Sequence, residues 1–158
     1  MGKTTLGAAL STHLNLPVIS SDSEIEQKVD QPIAAFVKQN GWPPFRAIEK
    51  SVIKDLCRRV DCIVDCGGGV VVDPENMRLL TADSLVVWVD ADRKDILQRM
   101  LDDTTRPLLS GVDLKQDIEE NYLRRMPLYR KYSKLRLDTS TISLEDCLGK
   151  VEQAFKKQ

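Results

Sequence analysis

Residues 85–89 read Leu85-Val86-Val87-Trp88-Val89, apolar at every position. A strand with one solvated face alternates polar and apolar side chains, whereas an uninterrupted apolar run is buried on both faces, as in a parallel sheet covered by helices. Helical segments flank the run, one opened by Pro74 and the other spanning Asp92 to Leu101. The alternation continues upstream. Lys3 to Leu14 reads as a helix, Leu16-Pro17-Val18-Ile19 as a short strand, and Ser23 to Val29 as a helix. Pro32 opens another helical stretch, Asn40-Gly41-Trp42-Pro43-Pro44 breaks it, and Phe45 to Arg59 resumes helical periodicity before the strand Cys62-Ile63-Val64. Downstream come a polar loop from Asp102 to Gly111, a charged helix from Leu114 to Tyr132, the strand Lys134 to Leu137 and a helix from Ser143 to Lys156. Strand and helix take turns throughout, so the expected fold class is α/β, a doubly wound parallel sheet with helices on both faces.

The 158 residues suit one domain, 1–158, with one core. With 23 Lys and Arg against 24 Asp and Glu, the chain has no global field to recruit nucleic acid or an anionic membrane. No apolar stretch approaches the roughly 20 residues of a membrane span, and no signal pattern opens the chain. The expected compartment is the cytoplasm, or an organelle interior after removal of a targeting segment. Cys57, Cys62, Cys66 and Cys147 lack the paired short spacing of a zinc site and read as reduced, buried or half-buried thiols. His13, the only histidine, reads as a helix-end residue rather than a catalytic base.

Several short stretches carry chemistry. Gly2-Lys3-Thr4-Thr5 at a helix start matches the second half of a phosphate-binding loop, in which backbone N–H groups and the helix dipole hold phosphates, Lys3 neutralises them and the Thr4 hydroxyl meets Mg²⁺. Four residues alone are equally a chance helix opening. Asp22 follows the second strand at the sheet edge where doubly wound folds bind ligands, although it could simply cap a helix. Gly67-Gly68-Gly69 offers close backbone approach and N–H donors, or merely a flexible turn. Arg46 and Glu49 stand one turn apart; by itself that is a surface ion pair worth under about 1 kcal/mol. Arg106-Pro107-Leu108-Leu109 lies in a loop suited to a lid, about 102–115, or to a solvated connection. Arg125-x-Pro127-Leu128-Tyr129 places another arginine beside a helix kink.

Together with Ser21-Asp22-x-x-Ile25-Glu26 and Leu137-Asp138-Thr139, this ordered series resembles shikimate kinase, within the nucleoside-monophosphate-kinase-like P-loop group, from Gly2 to about Thr139. The resemblance implies transfer of the γ-phosphoryl of ATP, with Mg²⁺, to the 3-hydroxyl of shikimate in aromatic amino acid biosynthesis. It implies that Asp22 binds and helps deprotonate the acceptor hydroxyl, that Arg46 and Arg125 hold the acceptor carboxylate, and that Gly67, Gly68 and Gly69, especially Gly68, donate backbone hydrogen bonds. Gly2, Lys3, Thr4 and Thr5 would take the phosphates, Arg106 the transferred phosphoryl, and Arg99 would stack on adenine. The enzyme is expected to act as a monomer on a small molecule.

The chain departs from the family at Ser20, where an acid usually helps to organise Mg²⁺; Asp65, placed like a Walker-B acid before the glycines, is the candidate replacement. Asp30 stands where the family often has glycine, and Trp42 where it often has an acid. The family also begins with an apolar strand and the first half of the loop ahead of Gly2. That strand lies in the middle of the sheet, so without it both neighbours would carry unpaired backbone groups, each costing about 1–3 kcal/mol if buried. The sequence is therefore expected to be clipped inside its phosphate loop. Two other readings remain at this point: a catalytically dead relative that binds a ligand, and a P-loop kinase of another hydroxy acid.

Overall fold

The computed structural model describes residues 2–102 and 114–157. Helix α1, Lys3–Leu14, opens directly on the glycine and ends at Asn15, whose positive φ of 54° reverses the chain. Strand β1, Val18–Ser20, follows, and the Ser20 hydroxyl accepts a hydrogen bond from Ser23 N to cap α2, Ser21–Val29. Helix α3, Ile33–Asn40, is separated from α4, Trp42–Leu56, by Gly41 alone. This corrects the expected break through Pro44 and the helix limits of Phe45 to Arg59. Pro43 and Pro44 sit in the first turn, where a helix has no use for their missing N–H groups.

Strand β2, Ile63–Asp65, runs into the glycines, which lead to a 3₁₀ turn over Val70–Val72 that the sequence reading did not foresee. Helix α5, Pro74–Ala82, has Asp73 as its cap. Strand β3, Val87–Asp90, then α6, Arg93–Asp102, complete the part before residue 103. After residue 113 come α7, Leu114–Tyr132, with Pro127 inside it, strand β4, Leu135–Asp138, and α8, Leu144–Phe155.

The strands pair in parallel as β1 with β2 and β3 with β4, with Ser20 opposite Asp65 and Asp90 opposite Asp138. They form two separate ladders rather than one sheet.

Side-chain alternation shows why the runs at 63–64 and 85–89 are apolar. Val64 and Cys66 pack against a core built from Ile25, Val37, Phe45, Val52, Ile53, Leu56, Val70, Val71, Met77 and Leu80. Ile63, just before them, packs against a second core of Leu6, Leu10, Leu137, Cys147 and Val151. Val86 joins the first cluster, whereas Leu85, Val87 and Val89 join the second. Successive residues point to opposite faces, so the two cores lie on opposite sides of the strands. Helices α2 to α5 supply one side and α1 with α8 the other, as the continuous run at 85–89 predicted.

All four cysteines are free, Cys147 buried and the others half-buried. His13 lies at the end of α1 and meets Glu152 of α8 at 3.0 Å. No helix among the described residues is long and apolar enough to cross a membrane.

Candidate active site

The carboxyl ends of β1 and β2 bring the sequence-predicted residues together. Ser21 is fully buried and its hydroxyl accepts a hydrogen bond from Gly67 N at 3.0 Å, which ties the start of α2 to the glycine turn. Asp22, the next residue, is exposed, and its carboxylate lies close to Gly67 with Oδ1 the nearer oxygen. A Cβ at position 67 would stand 2.6 Å from Asp22 Oδ1. With Ser20 serving as the helix cap, Asp22 is not needed for that task, so its alternative structural reading falls away.

Arg46 reaches the same turn from α4. A Cβ at Gly69 would stand 2.6 Å from both Nη1 and Nη2 of Arg46. The guanidinium is held by the Trp42 ring at 5.3 Å, the Phe45 ring at 5.1 Å, and Glu49, whose two oxygens accept from Nη1 at 2.8 and 2.6 Å. Glu49 is 2% exposed, which corrects the sequence reading of an ordinary surface pair. Burial pushes its carboxyl above the ordinary value, and the hydrogen bond and charge of Arg46 oppose that rise. Removing one partner of such a pair leaves the other charge uncompensated, at a cost of about 3–5 kcal/mol.

Arg125 approaches the middle of the turn from α7. A Cβ at Gly68 would be 3.7 Å from Arg125 Nη1 and 3.2 Å from the Tyr129 hydroxyl. Burial depresses the guanidinium pKa, and the nearby Tyr129 partly restores it. Arg125 Nε is buried without a hydrogen-bond partner. Three consecutive glycines therefore face, in order, a carboxylate and two guanidinium groups. A side chain at position 67 or 69 would displace the group it faces.

The predicted phosphate end adjoins this turn through β2. Thr4 Oγ1 donates to Asp65 Oδ2 at 2.9 Å, so the first turn of α1 and the residue two before Gly67 share one hydrogen bond. Gly2, Lys3, Thr4 and Thr5 are all exposed at the start of α1, and among the described residues nothing lies within 4 Å of a Cβ placed at Gly2. Thr4 and Asp65 are hard oxygen donors suited to Mg²⁺, which typically takes one or two protein oxygens and fills its remaining positions with water and phosphate oxygens. The described residues contain no cluster of three or more acidic, His or Cys ligands.

Two expected site residues are not placed. The side chain of Arg99, on α6, and the whole of Arg106 lie outside the described residues, as does most of the expected lid at about 102–115. Three contributors were not given roles from sequence: Ser21, Glu49 as a buried carboxylate, and Tyr129. For Glu49 a signal was present, because Phe45, Glu49, Val52, Ile53 and Leu56 fall at the spacing of a single helix face.

Comparison with known proteins gives a consistent result. The family model described as shikimate kinase matches residues 1–156. A shikimate kinase of Dehalococcoides mccartyi is 30% identical over 156 residues, covering 99% of this chain and 88% of that protein. One from Caldicellulosiruptor saccharolyticus is 35% identical over 150 residues, covering 95% of this chain and 87% of that protein. Among solved structures, shikimate kinase from Acinetobacter baumannii in complex with shikimate superposes with a TM-score of 0.89 at 29% identity, covering 99% of this chain and 87% of that one.

Proposed function

The chain belongs to the shikimate kinase family, and we propose that it phosphorylates the 3-hydroxyl of shikimate from ATP with the residues gathered at the glycine turn. The observation that carries this reading is the convergence of Asp22, Arg46 and Arg125 on Gly67-Gly68-Gly69, two residues beyond the Thr4–Asp65 contact.

Arg46 and Arg125 hold the acceptor carboxylate, for which a planar guanidinium offers paired donors. Glu49, Trp42 and Phe45 keep the Arg46 fork in place. Asp22 accepts a hydrogen bond from the acceptor hydroxyl and takes its proton as the new O–P bond forms and ADP departs. The backbone N–H groups of Gly68 and Gly69 supply further hydrogen bonds to the acceptor. At the other end, Gly2, Lys3, Thr4 and Thr5 bind the phosphates, while Thr4 and Asp65 hold Mg²⁺, which when bound neutralises charge on the transferred group. Arg106 and Arg99 are proposed at the transferred phosphoryl and at adenine. Positioning and charge stabilisation supply most of the rate. We place the enzyme in the cytoplasm as a monomer.

The test is a coupled ADP-release assay with shikimate, on the chain as given and on a version extended by an upstream apolar strand and loop. Turnover that requires shikimate supports the reading. ATP binding with no shikimate-dependent turnover in the extended version points to a binding protein. Turnover with a different hydroxy acid points to another acceptor. Asp22→Asn is expected to lower kcat about 100-fold or more while ATP affinity stays unchanged; unchanged turnover removes Asp22 from its role.

A further inference from the structure

Tyr129 stands at the meeting point of two groups assigned above to the acceptor. Its hydroxyl donates to the Gly68 carbonyl at 2.7 Å, and the Arg125 guanidinium reaches the same place: a Cβ at Gly68 would stand 3.2 Å from the hydroxyl and 3.7 Å from Arg125 Nη1. The direction of the bond is fixed by chemistry. A carbonyl can only accept, so the single hydroxyl proton goes to Gly68 and the lone pairs of the oxygen are left for a donor such as a guanidinium. The side chain spans 61 residues of sequence to reach Gly68.

The ring is held as firmly as the hydroxyl. Tyr129 stacks on Trp88 of β3 with centroids 5.7 Å apart and planes 25° from parallel. Trp88 is 8% exposed and carries on its ring the guanidinium of Arg136 at 4.9 Å. Arg136 in turn bonds buried Asp90 through Nε at 2.9 Å and Nη2 at 2.7 Å. Asp90, Arg136, Trp88 and Tyr129 thus form one continuous series of contacts from the β3–β4 ladder to the glycine turn, which belongs to the other ladder.

We propose that Tyr129 is a positioning residue for the acceptor: it fixes the Gly68–Gly69 peptide plane and the Arg125 guanidinium in one arrangement. No cis peptide occurs among the described residues, so in the trans 68–69 unit the Gly69 N–H points opposite the Gly68 carbonyl. Holding the carbonyl therefore sets the direction of the Gly69 N–H. The same hydroxyl stands beside a guanidinium whose Nη2 bonds Asn121 Oδ1 at 3.5 Å and whose Nε has no partner among the described residues. Phenylalanine would preserve the stack on Trp88 but take the donor from the Gly68 carbonyl and the hydroxyl oxygen from beside Arg125.

This inference rests on the reading that Gly68 and Arg125 bind the acceptor. Its test compares the wild-type chain with Tyr129→Phe, carrying the upstream strand where turnover requires it. Shikimate and ATP binding are measured by titration calorimetry, and KM and kcat by ADP release. The expected result is a shikimate Kd and KM raised about tenfold, ATP affinity within twofold of wild type, and an unchanged thermal midpoint within about 3 °C. In the Arg125→Lys background the same change is expected to weaken shikimate binding less than twofold, because the two residues act together. Equal shikimate affinity in wild type and Tyr129→Phe overturns the inference alone. A lowered midpoint with both affinities intact does so as well, since that is a purely structural role. Failure of wild type to bind shikimate overturns the reading of the site and this assignment with it.

Discussion

Thr4 of α1 and Asp65 of β2 are joined by a 2.9 Å hydrogen bond across 61 residues of sequence. A hydroxyl and a carboxylate at that separation converge on one small volume beside the exposed Gly2-Lys3 start. If they hold Mg²⁺, Asp65→Ala raises the Mg²⁺ concentration for half-maximal turnover about tenfold or more and leaves shikimate affinity unchanged. Magnesium titrations of the steady-state rate decide the point. An unaltered Mg²⁺ dependence takes Asp65 out of the metal site.

The glycine turn offers a separation of binding from chemistry. Gly69 has φ of -85° and ψ of -15°, so alanine fits its backbone and the nearest obstacle among the described residues is Arg46. Gly69→Ala should displace that guanidinium and raise KM for shikimate about 10- to 100-fold with ATP KM unchanged. Gly67→Ala, whose methyl meets the Asp22 carboxylate, should act mainly on kcat. Steady-state kinetics on the pair would show the split; wild-type KM in Gly69→Ala means that Arg46 does not bind the acceptor.

Cys66, between Asp65 and Gly67, has its thiol pushed up to about 12, chiefly by burial and secondarily by Asp65. The folded chain should resist iodoacetamide at Cys66 at pH 9 and react there once unfolded in urea, as peptide mapping would reveal. The raised value also has a stability consequence. The folded state retains a proton that the unfolded thiol gives up near pH 9, so the contribution is intact below that pH. It falls by about 1.4 kcal/mol per unit as pH rises toward 12. The difference in unfolding free energy between wild type and Cys66→Ala, measured from pH 8 to 11, should decline accordingly; a flat difference contradicts it.

Asp30 ends α2 in the left-handed region at φ 53° and ψ 36°, where its N–H bonds Glu26 O. That conformation costs a residue with a Cβ about 1 kcal/mol that glycine avoids. Asp30→Gly should raise the urea midpoint by up to about 1 kcal/mol of stability without changing the slope, net of the greater freedom that glycine gives the unfolded chain. A lower midpoint would show that the Asp30 side chain contributes more than its backbone costs.

Much of the architecture was legible because local rules and tertiary packing agree. The run at 85–89 is apolar on both faces because a core lies on each side of it, and Lys3–Leu14 and Pro74–Ala82 carry their own boundary signals. Trp42-Pro43-Pro44 misled, because proline breaks a helix interior but suits its first turn, and sequence alone did not distinguish the two. The three valines of the 3₁₀ turn carried no local signal for it, since valine favours extended backbone and the turn forms where the glycines ahead of them let the chain fold back. At the site, charged residues beside strand ends were recognisable by type and place. The Tyr129 hydroxyl and Ser21 were not, since each acts through a backbone partner far away in sequence.

The capping of α2 by Ser20 has one further consequence. Ser20 and Asp65 are register partners in adjacent parallel strands, so their side chains leave the ladder on the same side, about 5 Å apart. A carboxylate on either strand would thus address nearly the same point in space. With the carboxylate on the second strand at Asp65, the hydroxyl on the first is free to start a helix. Moving the charge across, as Ser20→Asp in an Asp65→Ser background, is a one-rung exchange within a fixed frame.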